Sequence, residues 1–272
     1  MTTDEAPALG EGGAGQSKRP PFDTTVANQA RIYDYLLGGK DNYEADRAAT
    51  DAVLAVYPEM AFNAKANRSF LGRAVRFLTG EAGIRQFLDI GTGIPTAGNT
   101  HQVAQAVAQQ SRVVYVDYDP IVLAHARALL TSQQAGSTQY IDADLRDTDT
   151  VLSRAHQLLD FTQPVAITLL AILHAMPDAY DPYAIVAKLI DAVPPGSYLA
   201  LSHIASDLLD AETVQGLAGI SDRMTQQDPG PADTATSGPT MRPAACIANT
   251  SPTILPRLAL PEYSDMIVAL TG

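Results

Sequence analysis

Gly91 and Gly93, one residue apart, follow directly on the run Phe87-Leu88-Asp89-Ile90. Apolar residues and an acid that end in two glycines describe a buried parallel strand running into a turn where the backbone must come close to a ligand. Glycine suits such a turn because a Cβ would block the approach or forbid the dihedral angles. Asp89, near the strand's end, can reach the ligand by hydrogen bonds or through a bridging water. A nucleotide-like cofactor at the carboxyl end of a first strand is the chemistry this pattern serves. Further on, Val113-Val114-Tyr115-Val116 runs into Asp117, 24 positions after Gly93. A carboxylate at that distance can accept from both hydroxyls of a ribose and disfavours a 2′-phosphate. The plainer alternative is an acid that caps a turn together with Asp119.

Other residues could complete such a site. Thr92 lies between the glycines and Tyr118 follows Asp117. Asp142 and Asp144 end a third strand: Asp144 could accept an adenine amino group while Leu145 covers the ring face, or both acids could be solvated loop residues. His174, in Ala171-Ile172-Leu173-His174-Ala175-Met176-Pro177, would sit beside the cofactor. There it could take a proton from a nucleophile at neutral pH, or simply be a hydrogen-bonded packing residue. The segment from Arg31 to Tyr43 is dense in aromatic and polar groups beside Gly38-Gly39. Tyr33 and its neighbours could fold over the cofactor and exclude water, or be core residues with exposed tips. Arg68 could pair with a cofactor carboxylate or form a surface ion pair. Metal chemistry finds no support, because the five histidines are scattered without a ligand spacing. Neither a Gly-x-x-x-x-Gly-Lys-Ser/Thr loop nor a Gly-x-Ser-x-Gly elbow occurs.

The elements that must position these residues alternate. Strands are predicted at 86–90, 112–116, 138–141, 165–170 and 198–202, with helices at 100–110, from Asp119-Pro120, at 149–159 and from Asp181-Pro182. Strands separated by helices mean crossover connections and a parallel sheet. Ahead of them, helical periodicity from Thr25 to Leu37 and at 45–57 and 59–78 predicts an N-terminal cap. The expected organisation is a disordered arm at 1–19, a helical cap at 20–80, a Rossmann-like core at 81–227 and an atypical Pro/Thr-rich tail at 228–272. Within the tail only 263–270 is faintly strand-like.

Composition narrows the partners. A formal charge of −12 and a pI near 4.7 repel phosphate backbones and anionic lipid, so duplex nucleic acid and membranes are not expected to bind. The single cysteine, Cys246, excludes an intrachain disulfide framework and fits a reducing cytoplasm. No run of about 18 apolar residues occurs, and the first twenty residues lack the apolar core of a signal peptide.

The order Asp89-x-Gly91-x-Gly93, Asp117, Asp144 and Pro194-Pro195-Gly196 before a strand resembles the class I S-adenosylmethionine-dependent methyltransferases. More narrowly, Ala30 through Tyr43, Asn67-Arg68, Phe87 through Pro95, Asn99-Thr100-His101 and Tyr140 through Asp147 resemble an actinobacterial S-adenosyl methyltransferase family, formerly of unknown function. The likeness covers about 20–227. It implies a Rossmann-like, doubly wound and mostly parallel α/β sheet with helices on both faces. It also implies S-adenosyl-L-methionine as cofactor, with Gly91 and Gly93 flanking its methionine part, Asp117 its ribose, and Asp144 with Leu145 its adenine. The acceptor is expected to be a small molecule. No Asn-Pro-Pro-aromatic tetrapeptide occurs, which argues against amino-methylation of DNA bases. Pro95 stands where many class I enzymes have a third glycine, and the narrower family shares it. Such folds end in an antiparallel strand pair, and the tail after Gln227 lacks the expected pattern, which predicts a bare sheet edge. The rivals are a regulatory protein that binds the cofactor without turnover and a nicotinamide oxidoreductase. The latter usually needs a glycine where this chain has Thr96. Neither the acceptor nor any oligomeric assembly leaves a readable signature.

Overall fold

All five residues of β1 (Gln86–Ile90) are buried, as a strand covered on both faces must be. In the computed structural model, which describes residues 23–130, 138–176, 178–204, 209–227, 253–254 and 264–270, β1 is an inner strand of a mixed sheet. It pairs in parallel with β2 (Arg112–Asp117) on one side and β4 (Ala166–Leu170) on the other. Outside these lie β3 (Thr138–Asp142) beside β2 and β5 (Ser197–His203) beside β4. The spatial order β3-β2-β1-β4-β5 reverses direction between β1 and β4, so the loops leaving those two strands diverge and open a crevice at the carboxyl edge.

Alternation along β1 distributes its side chains to two cores. Leu88 and Ile90 join the larger core, packed against Val151 and Ala155 of α6 (Thr148–Ala155) and Ile185 and Leu189 of α7 (Pro182–Asp191). Phe87 joins the other, with Phe70, Ala74 and Leu78 of α3 (Met60–Gly80) and Ala104 of α4 (Thr100–Val107). Helix α3 is therefore a layer on the sheet, and the packing runs straight across residue 80. Helix α5 (Pro120–Leu130) starts at a proline with Asp119 as cap, Ile121 N donating to Asp119 Oδ1 at 2.7 Å. A further helix, α8 (Ala211–Gln227), follows β5. It buries Leu217 and Ile220 and lays Gly216 on Val56 of α2 (Glu44–Val56), where a Cβ would come within 2.5 Å of Val56 Cγ1.

The sheet does not stop at β5. β7 (Ser264–Leu270) pairs antiparallel with all of β5, from Ser197↔Leu270 to His203↔Ser264, and β6 (Thr253–Ile254) pairs with β7. The bare edge expected after Gln227 is thus corrected: backbone pairing needs N–H and C=O groups at the right spacing, which a Pro/Thr-rich composition around a short apolar strand does not prevent. The remaining tail and the arm at 1–19 lie outside the described residues.

The N-terminal layer is held by one buried ion pair. Arg31 on α1 (Gln29–Leu36) is 1% exposed and Asp46 on α2 is fully buried. Arg31 Nε lies 2.8 Å from Asp46 Oδ2, and the same carboxylate accepts from the backbone N–H of Asn28 at 2.9 Å and of Tyr43 at 2.8 Å. The Arg31 guanidinium also donates to Val26 O. Removing one partner of such a pair strands the other charge away from water. Asp46→Ala is expected to cost about 3–5 kcal/mol of unfolding free energy, measured from urea midpoints. A loss below about 1 kcal/mol would mean the pair behaves as a solvated surface bridge.

Candidate functional site

The loop from Gly91 to Asn99 is built from beneath. Asp89 is 5% exposed, and its two oxygens accept from the hydroxyls of Thr100 and Thr168, each at 2.6 Å. One bond goes to the first residue of α4 and the other to the middle of β4, so Asp89 ties together the two elements that diverge at the crevice. Burial pushes its carboxyl above the usual range, while the two hydroxyls oppose that shift. Asp89 is turned inwards to hold the loop. The backbone then rises through Gly91 at φ 72° and Gly93 at φ 64°, values that disfavour any Cβ. A Cβ on Gly91 would lie 2.1 Å from Ile172 Cδ1, whereas one on Gly93 would meet nothing within 4 Å. The first glycine admits the β4 loop and the second leaves open space. Thr92 is half-buried between them.

Arg68 reaches down from α3 and donates through Nη2 to Ala97 O at 3.1 Å and to Asn99 Oδ1 at 2.6 Å. It clamps the loop and makes no surface ion pair among the described residues. Its Nε is buried with no partner among them. Asn99 also accepts from Thr96 N at 3.1 Å, and the Gln102 side chain covers the N–H groups of Gly98 and Asn99 at 2.8 and 3.0 Å.

Asp117 faces the loop from the end of β2. Its Oδ2 accepts from Gly93 N at 3.0 Å and its Oδ1 from Asp119 N at 3.0 Å, the Tyr118 amide also bonds the carboxylate, and some acceptor capacity is left over. It is therefore both a turn acid and an available acceptor. Burial raises its pKa to about 6, against the amide bonds from Asp119, Gly93 and Tyr118. Asp119 in turn accepts from Asn28 Nδ2 at 2.6 Å, which docks the start of α1 on the site. Tyr118 is 59% exposed, an aromatic face beside Asp117. Asp144 accepts from Arg146 N at 2.8 Å and Arg146 Nε at 2.9 Å, and the Arg146 guanidinium lies 4.7 Å from the Tyr180 ring centroid. Leu145 is 4% exposed and belongs to the larger core.

His174 stands apart from this group, in a 3-10 turn (Leu173–Ala175) after β4. Its ring meets His203 edge-on at 5.8 Å between centroids. Its Nδ1 is buried without a partner among the described residues, so any proton exchange with an acceptor falls to Nε2. Burial, with His203 adding to it, lowers the His174 pKa to about 3, which keeps the ring neutral. Tyr33 donates its hydroxyl to Ala64 O at 3.1 Å and accepts from Asn67 Nδ2 at 2.8 Å. Its helix meets this region through Ala30, which packs on the cluster of Ile94, Ile121 and Val122.

Several supports escape a reading of the sequence. Thr168 is the lone polar residue within 166–170, a signal that was available. Asn28, Ser202 and Arg146 carry no such mark. Among the described residues no group of His, Cys, Asp and Glu could hold a metal ion, and no helix is long and apolar enough to cross a membrane.

A family model described as S-adenosyl methyltransferase matches residues 15–228. The chain belongs to that family. The crystal structure of a DUF574 family protein from Streptomyces avermitilis MA-4680 is similar at 45% identity and a TM-score of 0.69, over 79% of this chain and 80% of that one. A candidate methyltransferase from Thermobifida fusca YX matches at 35% identity and a TM-score of 0.73, over 95% of this chain and 100% of that one. No curated protein matches. Family membership makes the chain an S-adenosylmethionine-dependent methyltransferase with a Rossmann-like fold and sets the nicotinamide alternative aside.

The methyltransferase's own residues fit its cofactor: open space at Gly93, acceptor capacity at Asp117 and an unpartnered Arg68 Nε. Gly93→Ala is expected to cost only about 1–3 kcal/mol of stability, from its positive φ. Calorimetry should nevertheless show S-adenosylhomocysteine affinity falling more than tenfold, because the Cβ projects into the open space. Ribose hydroxyls that donate to Asp117 would stabilise its ionised form, so protonating it would oppose binding. With a free-protein pKa of about 6, the apparent dissociation constant should rise about tenfold from pH 7.5 to pH 5. In Asp117→Asn, binding should be weaker at pH 7.5 and flat over that range.

Proposed function

We propose that this methyltransferase transfers a methyl group to a small-molecule acceptor in the cytoplasm, with its cofactor seated on the Gly91–Gly93 loop. The observation that carries this placement is the bond from Gly93 N to Asp117 Oδ2, which brings a ligand-admitting turn and an acid with spare acceptor capacity together at the carboxyl edge. Arg68 supplies the cation for the cofactor carboxylate, a role its unpartnered Nε supports. Asp117 accepts from the ribose hydroxyls, Tyr118 offers its exposed face to the adenine, and Asp144 accepts from the adenine amino group through the lone pair that Arg146 leaves free on Oδ1. The bound cofactor supplies an activated methyl on a sulfonium. The protein's work is to align an acceptor in line with that methyl and to keep water away. Helix α1, docked through Asn28 and Ala30, roofs the loop. A charge of −12 supports a small acceptor over duplex nucleic acid, and the lone cysteine supports a reducing compartment.

His174 Nε2 takes the proton that the acceptor loses as its new bond to carbon forms. The test has two stages. Wild-type protein with S-adenosylmethionine is screened against hydroxylated and aminated small molecules for S-adenosylhomocysteine release. His174→Ala is then measured on the best acceptor. It should hold S-adenosylhomocysteine within about twofold of wild type and turn over roughly a hundredfold more slowly. Unchanged turnover would remove His174 from the chemistry.

A further inference from the structure

Ala171, the residue after β4, has φ 55°, a left-handed conformation that a non-glycine residue adopts only when its surroundings impose it. Its backbone N–H donates to Ser202 Oγ at 2.9 Å and to Ser202 O at 3.2 Å. Ser202, fully buried on β5, passes its own hydroxyl proton to Asn67 Oδ1 at 2.6 Å. Asn67, 3% exposed on α3, donates through Nδ2 to the Tyr33 hydroxyl on α1 at 2.8 Å, and that hydroxyl donates to Ala64 O at 3.1 Å. One polar chain thus runs through the apolar interior from α1 to the strained turn. An apolar contact would serve packing there as well, and buried polar groups are retained at a desolvation cost that only good hydrogen bonds offset.

The turn at Ala171 decides where two side chains go. Ile172 follows it and fills the space beneath Gly91, to within 2.1 Å of where a Cβ would stand. His174 comes two residues later and meets His203, the neighbour of Ser202 on β5. A turn relaxed to an ordinary negative φ would redirect both.

We propose that Asn67 is a positioning residue: through Ser202 it latches the left-handed turn at Ala171 and so fixes Ile172 under the glycine loop and His174 at the acceptor end. The latch itself needs only the fold. Its value to methyl transfer rests on the proton-accepting role given to His174, and the two can fail separately.

The test is amide hydrogen exchange on the full chain as wild type, Asn67→Ala, Ala171→Gly and the double variant. Asn67→Ala should speed exchange of residues 171–176 at least tenfold while the amides of β1 and β2 stay within twofold, which shows that the sheet remains folded. Glycine reaches φ 55° without strain, so in the Ala171→Gly background the same substitution should change exchange there less than threefold. Unchanged exchange in Asn67→Ala, or an equal increase in both backgrounds, would overturn the latch. If Asn67→Ala does not fold, Ser202→Ala removes the same link from the other side and should loosen 171–176 alike; a silent Ser202→Ala overturns it equally. A loosened turn in Asn67→Ala together with full turnover in His174→Ala would leave the latch standing and remove the base.

Discussion

A carboxylate buried between two threonine hydroxyls is the constraint on which the rest of the site depends. Asp89 sits inside the sheet layer, where a bare charge would be costly, and Thr100 and Thr168 make it tolerable. Because those partners belong to α4 and β4, the satisfied carboxylate also sets how the two elements separate. The glycine loop runs beside that separation, from the end of β1 to the start of α4. Its shape follows from fixed ends, two positive φ values and the Arg68 clamp at Ala97 and Asn99. Apolar packing alone would hold the strands in register, but it would not fix the height at which the loop leaves the sheet.

From this loop a second set of polar contacts leads outward. Gly93 N bonds Asp117, Asp117 accepts from Asp119 N, Asp119 accepts from Asn28, and Asn28 donates its own N–H to Asp46, the partner of buried Arg31. Each acid is paired with amides or with a cation, which lets several carboxylates gather in a chain whose surface is already strongly acidic. The N-terminal helices are thereby coupled to the cofactor loop although they precede the sheet in sequence. This explains why the polar segment around Tyr33, Asp34 and Tyr43 is so dense: it is the interior of a joint. Asp34, for example, accepts from Asp41 N and Asn42 Nδ2, both at 2.9 Å, and so shapes the turn after α1.

How much of this was legible follows from what pattern can carry. Strand β1 falls at 86–90 as its apolar run predicts, and β2 to β5 lie within a residue of their predicted limits, because strands buried on both faces leave near-continuous apolar runs. The glycine pair and Asp117 are visible because turns that approach a ligand need unusual residues. Helix α8 has little periodic signal, because its buried positions, Leu217 and Ile220, are few and Gly219 lies between them. The pairing of β7 with β5 leaves little mark in the sequence, because an edge is covered through backbone groups, which composition hardly reports. Side-chain partners separated by long stretches of chain, such as Asn67 with Ser202 at 135 positions, leave no local trace at all. Helical period likewise says that α3 is a helix but not which surface its apolar stripe will cover, and here it covers the sheet.

The same separation between local pattern and distant contact bears on how the site does its chemistry. A histidine held near pKa 3 cannot ionise an acceptor in advance. In the role proposed for it, His174 accepts a proton only once bond formation to the methyl carbon has made the acceptor acidic. Deprotonation then follows the progress of transfer, and the ring must already stand within hydrogen-bond reach when that moment comes. Weak basicity therefore raises the demand on placement: a stronger base could tolerate a looser loop, whereas this one depends on a rigid turn. A strained residue at Ala171, tied into the sheet through Ser202 and Asn67, supplies rigidity where a relaxed loop would not. Burial of His174 and strain at Ala171 are on this account two sides of one arrangement, in which precision of position compensates for reactivity that a dry site takes away.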